Sequence, residues 1–503
     1  MTTNVLDFLE KTTARSPHKT AVIEESNSVT YSELTSISKK IGSSLSSVVQ
    51  PCTPVAVYCE KGIDALCAFF GILYAGGFYS LFNTDLPDIR LKNMQSVLGA
   101  GVIITTDALK QKAGMLFPGV LIFTVSELKK DDADNKKLAL IRGKAIDTDP
   151  VYVNFTSGST GIPKGIAVAH RSIIDFINVF TGLFRISNND VIANQAPFDF
   201  DVSVKDIYSA IKKGATLVIV PKNLFSNPVK LVDCLCENRV TTLIWAVSAL
   251  CLLSTFHGLD YKTPETVNKI LFSGEVLPYK HLLEWQRHLP DALYVNLYGP
   301  TEITCNCTYH ILRKNRDYSA GIPIGIHFPN EDVFLLDDKG RKITSIDKIG
   351  KITVRGSCLA LGYYNMPEKT SEAFIPNPLN TCYPETVYST GDLGKFSANG
   401  ELLFCGRADN QIKYMGHRIE LEEIERLISE TDGVERCFCM FDSEKSKLKA
   451  YYVGSTETDI LLTSLRNKMP TYMMPGQIRR LESFPLTKNG KIDRRKAAEM
   501  VGG

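Results

Sequence analysis

This chain of 503 residues lacks an excess of either charge: 57 Lys and Arg face 55 Asp and Glu, a formal net charge of +2. A nucleic-acid binder needs a basic surplus gathered on one face, so the balance points instead to a small molecule, or to a protein met through a local patch. The zinc-knuckle spacing of two residues between cysteines is missing. The close pairs Cys234/Cys236, Cys305/Cys307 and Cys437/Cys439 are separated by a single residue with no histidine at zinc-site spacing, so strand or core cysteines are expected. Thirteen cysteines, an odd number in a long chain, suggest reduced thiols and a cytoplasmic protein. The start, Met1-Thr-Thr-Asn-Val-Leu-Asp7, lacks the basic segment of an export signal. An unbroken membrane run is also lacking. Ala65 to Phe82 is uncharged, but Gly71, Gly76, Gly77 and several polar residues interrupt it, and a buried helix, a turn and a strand fit it better than membrane insertion. Internal repeats and low-complexity tracts are absent.

What is present is ordinary globular composition, 44% apolar and 22% charged, over a length that exceeds one core and divides into domains. Apolar runs such as Gly101-Val-Ile-Ile-Thr-Thr106 and Ala215-Thr-Leu-Val-Ile-Val220 alternate with helical segments such as Val229 to Glu237 and Tyr279 to His288. That alternation is the pattern of stacked α/β layers. From about Val333, short strands with Gly/Asp/Asn turns predict an antiparallel β-rich subdomain over 333–406. The expected fold is α/β: a large N-terminal body (1–406) of stacked layers carrying that subdomain, and a small mobile α+β C-terminal lid (407–503).

One segment concentrates anion-binding chemistry. Thr156-Ser157-Gly158-Ser159-Thr160-Gly161-Ile-Pro-Lys164-Gly165 follows the apolar strand-like run Pro150 to Phe155. Glycines let backbone N–H groups turn toward an anion, and hydroxyls and a lysine add donors around it. The Gly-x-x-x-x-Gly-Lys-Ser/Thr order of the nucleoside-triphosphatase loop is absent. A polyphosphate grip of another kind is expected rather than a flexible Gly/Ser connector.

That loop stands in one ordered series with Tyr31-Ser-Glu-Leu, Phe198-Asp-Phe-Asp201-Val-Ser-Val, Asn296-Leu-Tyr-Gly-Pro-Thr-Glu302, Gly362-Tyr-Tyr, Ser389-Thr-Gly-Asp392, Gly406-Arg-Ala-Asp-Asn-Gln-Ile-Lys413, Gly416-His-Arg-Ile-Glu-Leu-Glu and Asn489-Gly-Lys491-Ile-Asp. Across nearly its whole length the chain resembles the adenylate-forming superfamily of acyl-CoA synthetases, luciferases and amino-acid adenylation domains. The resemblance implies attack of a carboxylate on the α-phosphate of ATP, with positive charge supplied where two anions meet. It implies that the Thr156–Lys164 loop cradles the β- and γ-phosphates. Tyr298 is expected to stack on adenine, with Asn296 near the adenine amino edge and Gly299 in the same loop. Thr301 and Glu302 are implied as phosphate and Mg²⁺ contacts, a hard cation on a carboxylate. Asp392 is implied to accept the ribose hydroxyls, with Arg407 beside it. By composition alone Lys491 is a solvated lysine in a basic tail; its Asn-Gly-Lys-Ile-Asp context implies the catalytic ammonium that bridges carboxylate and α-phosphate.

A second half-reaction is also implied, in which a thiol attacks the acyl-adenylate after the lid turns about a hinge at Asp409, with Gly416 lining the thiol's tunnel. Met415 stands where relatives often keep a basic residue. Asp201 could simply cap a helix opened by Val-Ser-Val-Lys-Asp; the resemblance assigns it instead to the α-ammonium of an amino acid. By alignment of motifs the other pocket walls are Val202, Lys205, Ile244, Leu271, Ser273, Leu297, Cys305 and Asn306, which suit a small side chain, alanine or serine. Leu271-Phe-Ser-Gly-Glu-Val-Leu-Pro278 and Asp206-Ile-Tyr look similar to D-alanine–carrier protein ligases, although those typically have cysteine at the place of Ser273. Lys205 either turns its ammonium away from the pocket or pairs with an acidic group of the substrate. Since the chain stops at Gly503, the phosphopantetheine thiol is expected from a carrier protein in trans. The alternative is an acyl-CoA synthetase for a non-amino acid.

Overall fold

Runs of Val, Ile and Leu bounded by turn residues form the sheets of this computed structural model, which describes residues 2–158, 162–442, 445, 447–487 and 492–502. Ser159, Thr160, Gly161 and Lys491 lie outside the described residues. The chain falls into two compact units, each discontinuous in sequence. The first contains Met1–Thr84, Leu98–Asn154 and Gly165–Ala408, and the second contains Asp85–Val97, Phe155–Lys164 and Asp409–Gly503.

At the centre of the first unit is a nine-stranded sheet. Strands Thr216–Ile219, Val191–Asn194, Thr242–Ala246, Lys269–Ser273 and Leu293–Tyr298 run parallel in that order. They are buried along nearly their whole length, as continuous apolar runs in a parallel sheet should be. Thr308–Ile311 then returns antiparallel along Leu293–Tyr298. A seven-stranded sheet holds Pro54–Tyr58, Phe78–Leu81, Val102–Thr105 and Pro150–Thr156 among its members. The uncharged stretch from Ala65 forms helix Ile63–Tyr74 and strand Phe78–Leu81. Gly71 faces Ile41 and Gly42 faces Tyr74 so closely that a Cβ at either would collide with its neighbour; helices Tyr31–Leu45 and Ile63–Tyr74 touch there through glycine. Among the described residues no helix is long and apolar enough to cross a membrane.

The β-rich stretch is a six-stranded antiparallel sheet with strands Glu331–Leu336, Gly350–Gly356, Thr386–Phe396 and Leu402–Arg407 at its heart. In the second unit, hairpin Gln411–Tyr414/His417–Glu420 leads into helix Leu421–Ser429, followed by strands Val434–Asp442, Lys447–Gly454 and Gln477–Arg480. Together these give a large mixed α/β N-terminal body and a small C-terminal subdomain. Cys437 and Cys439 sit in a strand as expected. Cys234 and Cys236 are in neither strand nor core: they lie half-buried on helix Pro228–Glu237, the helical segment expected there.

Candidate functional site

The pocket residues named from sequence converge in the first unit, at the carboxyl ends of the parallel strands, where open α/β sheets place their ligands. Ile244, Leu271, Ser273 and Leu297 come from three neighbouring strands. Across from them runs helix Val202–Lys213, with Asp201 at its N-cap position. The Asp201 side chain makes no capping hydrogen bond, so capping does not explain it. Its backbone carbonyl accepts the Cys305 thiol at 3.2 Å. Lys205 is 1% exposed, which removes the alternative in which it reaches solvent. Its Nζ donates to Ser273 Oγ at 3.1 Å and to Asn306 Oδ1 at 2.8 Å. Burial holds the Lys205 ammonium below its ordinary pKa, while nearby Asp201 and Asp206 act the other way.

Asn306 and Cys305 follow the short 3-10 turn Thr301–Ile303, and the backbone there is held in the left-handed region: φ is 55° at Thr304 and 78° at Cys305. Such conformations cost on the order of 1–3 kcal/mol each for non-glycine residues and cluster at ligand sites. The Thr304 hydroxyl anchors the turn by donating to the Cys358 carbonyl at 2.7 Å.

Next to this pocket, Asp392 is completely buried in strand Thr386–Phe396. Its Oδ2 accepts the Tyr298 hydroxyl at 2.5 Å and its Oδ1 takes the Arg407 guanidinium. A carboxylate offers about four lone-pair positions, so these two partners leave acceptor capacity for a ligand's hydroxyls. The Asn296 amide donates to the Pro323 carbonyl at 2.9 Å, keeping its oxygen as an acceptor. Glu302 is buried, and Tyr363 donates its hydroxyl to Glu302 Oε1 at 2.7 Å. Tyr363 was not assigned a role from sequence, although it belongs to the Gly362-Tyr-Tyr motif; the contact spans 61 positions and no local pattern announces it.

The phosphate-loop residues belong to the second unit. Thr156 ends strand Pro150–Thr156 and Lys164 opens strand Lys164–Ala169. Gly158 packs on the Ile162 carbonyl where a Cβ would collide. Ser157 Oγ donates to the Arg418 carbonyl at 2.7 Å, and Lys164 Nζ lies 3.3 Å from Glu420 Oε1. Glu420 was also missed, despite its place in the Gly416-His-Arg-Ile-Glu motif. Asp409 accepts the Gln411 N–H at 3.2 Å. Met415 and Gly416, with φ of 53° and 80°, form the tight turn between two hairpin strands, which requires positive φ at both centres.

Residues 9–364 match the family of AMP-binding enzymes. Zwittermicin A synthase ZmaJ of Bacillus cereus is 32% identical over 510 residues, covering 98% of this chain and 94% of that protein. Bacitracin synthase 1 of Bacillus licheniformis is 31% identical over 504 residues, 98% of this chain but only 9% of the relative's length. The chain therefore spans about a tenth of that larger synthase. Among solved structures, PA1221, an NRPS protein containing adenylation and PCP domains, aligns over 99% of this chain and 97% of its own at a TM-score of 0.83 and 24% identity. The artificially fused adenylation–PCP di-domain NpsA-ThdA from Klebsiella oxytoca aligns over 96% and 94% at a TM-score of 0.83 and 22% identity; both likenesses are of fold. By its match over more than half its length, the chain belongs to the AMP-binding enzyme family.

Proposed function

We propose that this protein activates a free amino acid with ATP as an aminoacyl adenylate and passes it to the phosphopantetheine thiol of a carrier protein. The observation that carries the reading is the place of Asp201: a carboxylate at a helix start that it does not cap, beside the buried walls Ile244, Leu271 and Leu297, suits the α-ammonium of an amino acid. A relative named as a bacitracin synthase, and neighbours titled as NRPS proteins with adenylation and PCP domains, support the carrier as acceptor.

In the first step a carboxylate oxygen bonds to the α-phosphorus and the bond to the β-phosphate bridge breaks, releasing pyrophosphate. Asp392 holds the ribose through its remaining lone pairs, oriented by Tyr298 and Arg407. Thr156, Ser157, Gly158 and Lys164 contribute donors to the phosphates, and Thr301 adds a hydroxyl. Lys491 is assigned here, from its sequence context, to neutralise the two anions as they join. In the second step the thiol sulfur bonds to the acyl carbon, AMP leaves and the thiol proton is lost to solvent. Magnesium fits the donor set, since Glu302 offers a hard carboxylate oxygen held by Tyr363; when bound with ATP it would neutralise phosphate charge. The buried walls Ile244, Leu271 and Leu297 favour a short side chain.

Pyrophosphate exchange over a panel of D- and L-amino acids and simple carboxylic acids tests this. Exchange should need an amino acid and vanish in Asp201→Ala. Exchange driven by a fatty or aryl acid, undiminished in that variant, would instead favour an acyl-CoA synthetase.

A further inference from the structure

Asp201 and Lys205 are one helical turn apart. Asp201 has helical backbone angles, φ −62° and ψ −21°, so positions 201 and 205 share a face and stand roughly 6 Å apart along the axis. The same turn is flanked by two consecutive residues of the strained segment. The Cys305 thiol reaches the carbonyl of Asp201 and the Asn306 side chain reaches Lys205.

The Lys205 ammonium has only neutral hydrogen-bond partners among the described residues, Ser273 and Asn306, themselves 4% and 2% exposed. Asp206 is a poor counter-charge. It accepts from Asn194 Nδ2 at 2.8 Å, and burial raises its pKa, against its charged form. Asp206 also interacts with Lys61. Asp201 is the other nearby carboxylate; once it holds the α-ammonium of the substrate, a buried ammonium whose hydrogen-bond partners are neutral costs several kcal/mol unless a further anion joins it.

Donor geometry agrees. Lys205 has three N–H donors and gives two to Ser273 and Asn306. Because both neighbours accept from it, the Ser273 hydroxyl hydrogen and the Asn306 amide hydrogens point to other acceptors. Three donor groups therefore gather at Lys205, one helical turn from Asp201. A carboxylate, acceptor-only with two oxygens, matches that set.

We propose that the amino acid activated by this protein carries a carboxylate on its side chain, and that Lys205, with Ser273 and Asn306, selects it. The proposal rests on the amino-acid reading above, because it takes the α-ammonium to be held at Asp201. An aspartate- or glutamate-like chain of tetrahedral carbons spans roughly the distance between the two helix positions. A small neutral side chain would leave Lys205 with only Asp206 and an Asp201 already shared with the α-ammonium.

The test uses the full chain in pyrophosphate exchange with both enantiomers of aspartate, glutamate, asparagine, glutamine, alanine and serine. An acid should exceed its own amide in kcat/KM by at least about tenfold. Lys205→Met should lose the acid by about a hundredfold, mainly through KM, while its KM for ATP stays within about threefold. Lys205→Arg should keep the preference for an acid. A neutral amino acid that matches or exceeds every acid in the wild-type protein overturns the inference and leaves the amino-acid reading standing. Exchange with carboxylic acids that lack an ammonium, and with no amino acid, overturns both. The wild-type panel decides even if Lys205→Met fails to fold.

Discussion

Tyr298 donates its hydroxyl to Oδ2 of Asp392 at 2.5 Å, and that carboxylate is completely buried. Burial first, and the adjoining Asp392 charge second, push the Tyr298 pKa well above its usual value, so the phenol remains a donor throughout the working range. Arg407 completes the neutralisation on Oδ1. The arrangement fixes the carboxylate before any ligand arrives.

The two partners of Asp392 should differ in what their loss costs. Arg407→Met strips the counter-charge from a buried carboxylate and should destabilise by about 3–5 kcal/mol. Tyr298→Phe removes one hydrogen bond to a charged acceptor and should cost about 2 kcal/mol. Urea unfolding midpoints compare them; equal losses would mean that Arg407 contributes only a hydrogen bond.

Gly299 gives a second expectation. A Cβ there would lie 2.5 Å from the Asn306 Cα and 2.8 Å from the Cys305 carbonyl oxygen, both backbone atoms that cannot swing aside. Gly299→Ala should push the 305–306 segment off the pocket and lower kcat/KM for the amino acid by about a hundredfold. The KM for ATP should change far less. Exchange kinetics with each substrate varied in turn separate the two, and equal effects would place the damage elsewhere.

The layers and the β-rich stretch were legible because they depend on local pattern: apolar runs of strand length and turn residues. The state of Lys205 was not legible. Its two partners lie 68 and 101 positions away, so only the folded sheet shows whether the ammonium is exposed or enclosed. The same reason hid Tyr363 and Glu420, whose motifs were visible but whose contacts with Glu302 and Lys164 join segments distant in sequence. Cys234 and Cys236 fall on the helix expected over 229–237, so the helical period rather than their alternation decides their place.

Glu420 suggests a third experiment. It holds Lys164 at 3.3 Å and also accepts from Gln411. A lysine that grips ATP phosphates has to leave this ion pair, and its strength then opposes nucleotide binding. Glu420→Gln should lower the KM for ATP by about threefold to tenfold, the equivalent of roughly 1 kcal/mol. An ATP titration of the exchange reaction reads this directly. A rise in KM would show instead that Glu420 positions Lys164 for the phosphates.

His170 should make the body less stable in acid. It opens helix His170–Leu183, is 4% exposed, and its Nδ1 accepts the Val5 N–H at 3.2 Å. Burial, with a smaller contribution from Arg142, pushes its pKa from 6.5 down to about 3. The folded protein thus holds a neutral imidazole while the unfolded chain takes up a proton as pH falls through 6.5. Because the folded pKa is the lower one, protonation favours unfolding, and the penalty grows by about 1.4 kcal/mol per pH unit until the folded pKa is reached. His170→Gln keeps an acceptor for Val5 and does not titrate. Between pH 6.5 and pH 4.5 the wild-type protein should therefore lose about 2–3 kcal/mol more than the variant, seen as a steeper fall of Tm in calorimetry. Parallel Tm curves would mean that the imidazole gains solvent before the body unfolds.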